Sequence, residues 1–359
     1  MTPKICLNMI LKNESKVIKR LLDSVKNIID DYIIVDTGST DNTKSIIENF
    51  SKENNIHGKV FDSKFKDFAY NRNEALNLAK ENSQSDFLLL LDADMVLNTL
   101  NFNKQDLINK QVLKLKQKNS NIEWQNIRII NKKVNAKYIG VTHEYLDINN
   151  AKIEYLDSLF IEDYGDGGSK SDKFIRDINL LSEAIKIEPY NSRYYFYLAQ
   201  SYKDIKQYDQ ALKYYNERIK LGGWLEEVWY SYYMISYIYI QKGQIQKAEE
   251  YAIKGFISYP YRSENIYLLV KYYRENKDYN KAYSYYLLGK DIKKDNNQLF
   301  IEHQIYDYGF DFEFSVINYY LNNLNKEDGK KAALKVLDSN ASQDIKALTK
   351  SNLLCYNNV

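Results

Sequence analysis

An α/β domain followed by an all-helical repeat domain is the architecture this sequence predicts. Three observations carry that prediction. Short apolar runs alternate with helix-period segments through the first 163 residues. Tyrosine is scarce there and dense later, with five of the 34 tyrosines in residues 1–163 and 28 in residues 190–356. A helical pattern built around one alanine also returns at near-constant spacing in the second half. The 359 residues suffice for two domains at about 150 residues each. The division is expected between 165 and 166.

Residues 5–11 are an apolar run and a predicted strand. Residues 14–28 carry Val17, Leu21, Leu22 and Val25 at helical spacing. Residues 32–35 read as a second buried strand. Ser39 or Thr40 is placed to cap a helix starting near Asp41, with Ile46, Ile47 and Phe50 inward. Residues 59–61 form a weak third strand, and residues 70–81 a helix that buries Ala75, Leu76 and Ala79. Residues 87–91 form an apolar strand ending on Asp92. This alternation implies a mostly parallel sheet with helices on its faces. Residues 122–130, 136–141 and 151–161 read as later strands, partly antiparallel.

In the second half, YDQALKYYNERI centres on Ala211. IQKAEEYAIKGF repeats it at Ala248 after 37 residues, and YNKAYSYYLLGK at Ala282 after 34 more. Ala332 in GKKAALKVL marks a degenerate copy, and the Pro-Tyr-Asn-Ser beginning at Pro189 returns as Pro-Tyr-Arg-Ser at Pro260, 71 residues on. A small residue at a fixed place lets paired helices approach while aromatics fill the space around it. This is tetratricopeptide-like periodicity. Trp224 reads as core, and His57 and His303 as structural or exposed.

Fifty basic and 48 acidic residues leave a net charge of +2, too balanced for a general nucleic-acid binder. No run approaches the roughly 18 apolar residues of a membrane span, and no signal peptide is evident. Two cysteines, Cys6 and Cys355, make no disulfide framework. A cytoplasmic protein is expected.

Three acidic elements follow apolar runs: Asp36 in VDTGSTDNT, Asp92 and Asp94 in FLLLLDADM, and Glu144 beside His143 after YIGVT. In an open parallel sheet, ligands bind outside the carboxyl ends of the strands. In extended backbone, Asp92 and Asp94 point the same way. Two such carboxylates repel unless a proton or cation lies between them. A divalent ion held by few carboxylates keeps positions for phosphate oxygens. Asp36 suits a base N–H or a ribose hydroxyl. Arg72, in Asn71-Arg72-Asn73 at the opening of the third helix, suits phosphate or base oxygens.

The segments KICLNMILKNES, IIVDTGSTDNT, FAYNRNEAL and FLLLLDADM occur in that order, and together they resemble the GT-A glycosyltransferases of family 2. The helical half is similar to members carrying tetratricopeptide-type helices, including the sublancin-type peptide S-glycosyltransferases. The resemblance implies that Asn13 and Glu14 line a nucleotide pocket, Asp36 reads the base, and Arg72 contacts nucleotide or diphosphate. Asp92 then approaches ribose and metal, while Asp94 binds Mn²⁺ or Mg²⁺. The donor is a nucleotide-sugar, UDP-linked in most of the family, and the transfer inverts the anomeric centre. The acceptor is a protein, a peptide or a glycan.

Inversion needs a base on the acceptor side. Glu144 leads, with His143 as a metal ligand or phosphate donor. The competitor is the loop running from Asp163 through Tyr164, Gly165, Asp166, Gly167, Gly168 and Ser169 to Lys170. Relatives carry a His-x-Gly hereabouts where this chain has Asp163, which is then a candidate third metal ligand. Asp166 is the other candidate base, and Lys170 or Lys173 can close over the diphosphate. Two other readings stand beside transfer: a non-catalytic repeat scaffold on a degenerate transferase fold, and a nucleotidyltransferase. A homodimer through the repeats is a further option.

Overall fold

The computed structural model describes residues 2–119, 122–167, 173–294 and 300–356. They divide into two compact units, residues 1–187 and 188–359. The break falls 22 residues beyond the expected one. The helix Lys173–Ile187 belongs with the first unit, because its Asp177 accepts from Thr142 and its Arg176 covers Phe68.

The first unit is built on an eight-stranded sheet. Its strands are β1 Ile5–Leu11, β2 Asp31–Asp36, β3 His57–Asp62, β4 Phe87–Leu90, β5 Met95–Thr99, β6 Val112–Asn119, β7 Ile122–Asn131 and β10 Ile153–Asp163. Their order is β3-β2-β1-β4-β7-β6-β10-β5. β3, β2, β1 and β4 run parallel. β7 is antiparallel to β4 and β6, and β5 to β10. The chain reverses its winding between β1 and β4, the switch point where crevices open.

Helices α1 Ile18–Val25 and α2 Thr43–Asn54 cover one face, burying Leu21, Leu22 and Ile47 against Ile5, Leu7 and Met9. Helix α3 Phe68–Asn82 covers the other, with Leu76 and Ala79 against Cys6, Ile33 and Leu88. Both faces of β1 are therefore dry, and its one polar residue must be paired. Asn8 is, donating to the carbonyls of Ile33 and Ala75 and so tying strand to helix.

Several expectations need correction. Asp92 and Asp94 are not in extended backbone: the Met95 N–H reaches the Asp92 carbonyl at 3.1 Å and closes a turn. Helix α2 starts at Thr43, and the oxygen that accepts its first N–H is Asp41, not Ser39 or Thr40. Helix α3 is capped by Asp67 at Tyr70, so Arg72 lies inside it rather than at its opening. His57, expected to be structural or exposed, is exposed and opens β3. The run expected at 136–141 contributes only β8 Lys137–Ile139, which pairs with β9 Tyr145–Asp147 in a separate ribbon. That ribbon is latched to α3 by Asn73, which exchanges two hydrogen bonds with Tyr138.

The second unit is helical throughout the described residues. Its pairs are α5 Ser192–Asp204 with α6 Tyr208–Leu221, α7 Leu225–Gln241 with α8 Ile245–Ser258, α9 Glu264–Glu275 with α10 Tyr279–Gly289, and α11 Phe310–Tyr320 with α12 Lys326–Asp338. A last helix, α13, spans Gln343–Tyr356. Ala211, Ala248 and Ala282 are wholly buried at the fourth position of α6, α8 and α10; in α12 that position is held by the buried Gly329, and the expected Ala332 lies three residues further on. Trp224 is half-exposed, and the buried indole is Trp229, with the Arg262 guanidinium 3.9 Å from its ring centroid.

Candidate active site

The carboxyl ends of β1, β2 and β4 open into one cleft of about 390 Å³. Its lining includes Asn13, Glu14, Thr37, Arg72, Asp92, Asp94, Phe65 and Phe68. Four sequence-predicted residues from two distant segments, Asn13, Glu14, Asp92 and Asp94, thus share the cleft with Arg72.

The loop after β1 and the loop after β2 are laced together. Asn13 adopts φ 55°; asparagine tolerates this left-handed region better than most residues. Its N–H donates to Ser39 Oγ and its side-chain oxygen accepts from the Thr40 N–H. The Glu14 N–H donates to Thr43 Oγ1. Asp41 accepts from Ser15 and Thr43, and although burial raises its carboxyl, these bonds hold it at about 2. Asn13 therefore shapes the pocket wall as well as lining it.

Asp36 is fully buried. Its Oδ1 accepts from the N–H groups of Gly38 and Ser39 at 2.8 and 2.6 Å. Gly38 has φ 107°, a turn that a side chain would strain. The other oxygen, Oδ2, is buried with no hydrogen-bond partner among the described residues. A buried acceptor without a donor is costly. Asp36 itself is not among the residues lining the cleft, but its neighbour Thr37 is.

Asp92 sits between two guanidinium groups. Arg72 Nη2 is 2.6 Å from its Oδ1 and Arg128 Nη1 is 3.5 Å from its Oδ2. Burial raises the Asp92 carboxyl, but Arg72 and Arg128 together bring it down to about 2. Arg72 also donates through Nε to Glu144 at 2.6 Å. The repulsion expected between carboxylates is thus answered at Asp92 by arginine.

Arg128 and Gln117, on β7 and β6, were not anticipated from the sequence. Both are buried in a polar relay. Arg128 donates to the Leu90 carbonyl and twice to Gln117 Oε1, and Gln117 Nε2 donates to Asp163 Oδ2 at 2.9 Å. The relay links Glu144, Arg72, Asp92, Arg128, Gln117 and Asp163. The Asp163 carboxyl is pushed up, first by burial and then by the charge of Asp94. Asp163 also lines a second cleft of about 340 Å³ with Lys118, Asn119, Glu162 and Tyr164.

Asp94 Oδ2 accepts from the Gly167 N–H at 3.3 Å. A Cβ at Gly167 would stand 3.1 Å from Glu14 Oε2 and 3.3 Å from Asp94 Oδ2, so only glycine passes freely between the two carboxylates. Asp166 is gripped by Arg20 at 3.0 and 2.6 Å, and Arg20 also reaches the Asp94 carbonyl at 3.3 Å. Arg20 lies 4.3 Å from the Tyr164 ring centroid. Arg20 is a third residue that the sequence did not single out. Its partner Asp166, a candidate base in the sequence reading, is thereby tied to α1.

His143 adopts φ 50° and faces Asp177, with Nε2 3.8 Å from Oδ2. It is not among the residues that line the cleft. Among the described residues no group of three His, Cys, Asp or Glu side chains is positioned to hold a metal. Glu14 and Asp94 nevertheless offer hard oxygen donors side by side at Gly167. Mg²⁺ and Mn²⁺ commonly use one or two carboxylates plus substrate phosphates, and this pair fits that donor set. Lys170 lies outside the described residues, and Lys173 opens α4 Lys173–Ile187.

Residues 6–166 match the profile of the glycosyl transferase family 2, and residues 180–213 that of the tetratricopeptide repeat. Two curated relatives are each 26% identical over 235 residues, covering 61% of this chain and 54% of their own. They are the SPbeta prophage-derived glycosyltransferase SunS of Bacillus subtilis (strain 168) and the glycosyltransferase SunS of Bacillus phage SPbeta. The chain spans about half the length of these relatives. Among solved structures, S. aureus TarS 1-349 in complex with UDP-GlcNAc is 15% identical with a TM-score of 0.39, covering 71% of this chain and 91% of its own. YrrB, described as a TPR protein with an unusual peptide-binding site, is 13% identical with a TM-score of 0.37, covering 51% of this chain and 86% of its own. At these scores neither superposition carries an argument.

Proposed function

We propose that this chain, which carries a family 2 glycosyltransferase domain over residues 6–166 followed by tetratricopeptide-like helices, transfers a sugar from a UDP-linked donor with inversion. The observation that carries the reading is the convergence of three strand ends on one cleft holding Asn13, Glu14, Arg72, Asp92 and Asp94. The partnerless Asp36 oxygen adds a seat for a donor group such as a base N–H.

In this reading Asp36 and the Asn13 loop hold the nucleoside. Asp94, with Glu14 beside it, holds a divalent cation, which when bound neutralises charge on the diphosphate. Arg72, fixed by Asp92 and Glu144, directs its guanidinium charge at the same cleft. Asp163 is the better general base than Glu144. Its carboxyl is raised and it faces a second cleft, where an acceptor nucleophile can enter. Glu144 is bound by Arg72 at 2.6 Å, which commits one of its carboxylate oxygens to holding the guanidinium. Glu144 then acts through Arg72 as a positioning residue, and His143 braces the ribbon through Asp177.

A peptide or protein acceptor fits the helical repeats, with a glycan or a second copy of the chain as the other occupants to test. No helix among the described residues is long and apolar enough to cross a membrane. Cys6 and Cys355 are both free thiols, which agrees with a reducing compartment such as the cytoplasm.

The test is nucleotide release from a panel of UDP-sugars with Mn²⁺. Metal-dependent UDP release supports the proposal. Pyrophosphate release from UTP and a sugar phosphate would instead make the chain a nucleotidyltransferase. Silence on every donor, with the protein folded, would return it to a scaffold.

A further inference from the structure

Phe300 packs on helices that precede it by about a hundred and by seventy residues. Its ring stacks on Phe196 of α5 at 6.4 Å and 12°, and meets Tyr230 of α7 at 5.0 Å. Two residues on, the Glu302 carboxylate accepts from the Tyr233 hydroxyl at 2.6 Å. The Phe300 carbonyl accepts from Arg262 at 3.4 Å. A connection between α10 and α11 has thus laid an aromatic ring, a carbonyl and a carboxylate on α5, α7 and the start of α9.

Three features distinguish this seat from ordinary core. Phe300 keeps 45% of its surface exposed, so its ring rests on a shelf. Its φ is 50°, an outlier for a bulky side chain that persists only where the surroundings enforce it. The Glu302 carboxyl is raised by burial and by nearby Glu264, against the Tyr233 hydrogen bond. The chain's own segment therefore fills the seat under backbone strain and like-charge repulsion.

We propose that Phe196, Tyr230, Tyr233 and Arg262 form a docking seat for a partner peptide that carries an aromatic residue two positions before a carboxylate. The chain's own residues 300–302 fill that seat until such a peptide displaces them. The shelf takes the ring edge-on or stacked, and the phenol and guanidinium take the acid and a backbone carbonyl. The seat lies within the helical unit and stands whether or not the first unit transfers a sugar. A tethered occupant acts at an effective concentration on the order of millimolar, so free peptide competes poorly with the wild-type segment.

The probe is a fluorescein-labelled, amidated peptide Phe-Ile-Glu-His-Gln, the sequence of residues 300–304. Its anisotropy is followed on the full wild-type chain and on the Phe300→Ala/Glu302→Gln double variant. The double variant is expected to bind at least about tenfold more tightly than wild type, in line with removal of that tethered competitor. Adding Tyr233→Phe, or replacing the peptide's Phe by Ala, should weaken that binding. A folded double variant that fails to bind, or equal binding by both chains, overturns the seat. If the double variant does not fold, hydrogen exchange on wild type decides. Millimolar peptide should speed exchange at the amides of residues 301–304, and unchanged exchange there overturns the proposal.

Discussion

Asp163 and Glu144 separate two roles that the sequence left open between them. Asp163→Asn is expected to lower kcat about 100-fold or more with little change in donor KM, because a general base contributes that much to the chemical step. Glu144→Gln should instead raise donor KM along with a smaller fall in kcat, since it releases one side of Arg72. Steady-state kinetics on both variants distinguishes them, and the reverse pattern would restore Glu144 as base. Arg72 also sets the ionisation of Asp92. That carboxyl is held at about 2, below its ordinary value. Its pairing therefore stabilises the fold above about pH 4, the unfolded carboxylate range, and is lost as pH falls through about 2. In Arg72→Ala, burial then acts against only Arg128. The Asp92 carboxyl should titrate at a visibly higher pH, read by carbon NMR of the side chain. An unmoved titration would mean that Arg128 alone sets it.

The strands and helices that carry long apolar periods were legible in the sequence, because burial on both faces leaves an unbroken apolar run. β1, β2 and β4 are such runs. β6, VLKLKQKN, was not anticipated: its inward residues alternate with lysines, and Gln117 occupies an inward position as a relay member rather than as apolar filling. β5 is five residues long and follows the Asp92 turn directly, too short for a period to declare itself. The same limit applies to the site. Asp36, Arg72, Asp92 and Asp94 stand at strand ends or in motifs and could be named. Arg128, Gln117 and Arg20 act through partners distant in sequence, and no local pattern announces them. In the helical unit, spacing alone found the alanines. Ala248 is wholly buried, and its carbonyl accepts from Ser236 of the facing helix at 2.8 Å. Ala248→Leu should cost about 1–3 kcal/mol by overpacking, measured by denaturant unfolding. An unaffected midpoint would mean the α7–α8 contact is looser than described.

The two units solve the burial problem differently. The first encloses a sheet between helices and keeps its charges at the strand ends. The second buries ion pairs among its aromatics: Arg218 with Glu227, and Arg262 with Glu264 at 2.6 Å, all four shielded from solvent. Glu264 also accepts from Tyr306. Removing one partner of such a pair strands the other charge, so Glu264→Ala should destabilise the helical unit by about 3–5 kcal/mol. Hydrogen exchange across residues 188–359 would show it as lost protection in α7 and α9, and retained protection would contradict it. The near-neutral whole chain, at +2, gives no general attraction for polyanions. Affinity for a diphosphate must then come from the cleft itself. Calorimetric titration of UDP into the full chain with Mn²⁺ tests that most directly. The account predicts saturable binding that weakens at least about tenfold without Mn²⁺ or in Asp94→Asn, of the order expected when a charge-assisted contact is lost. A folded wild type that binds no UDP, or an Asp94→Asn variant that binds it as well as wild type, would contradict it.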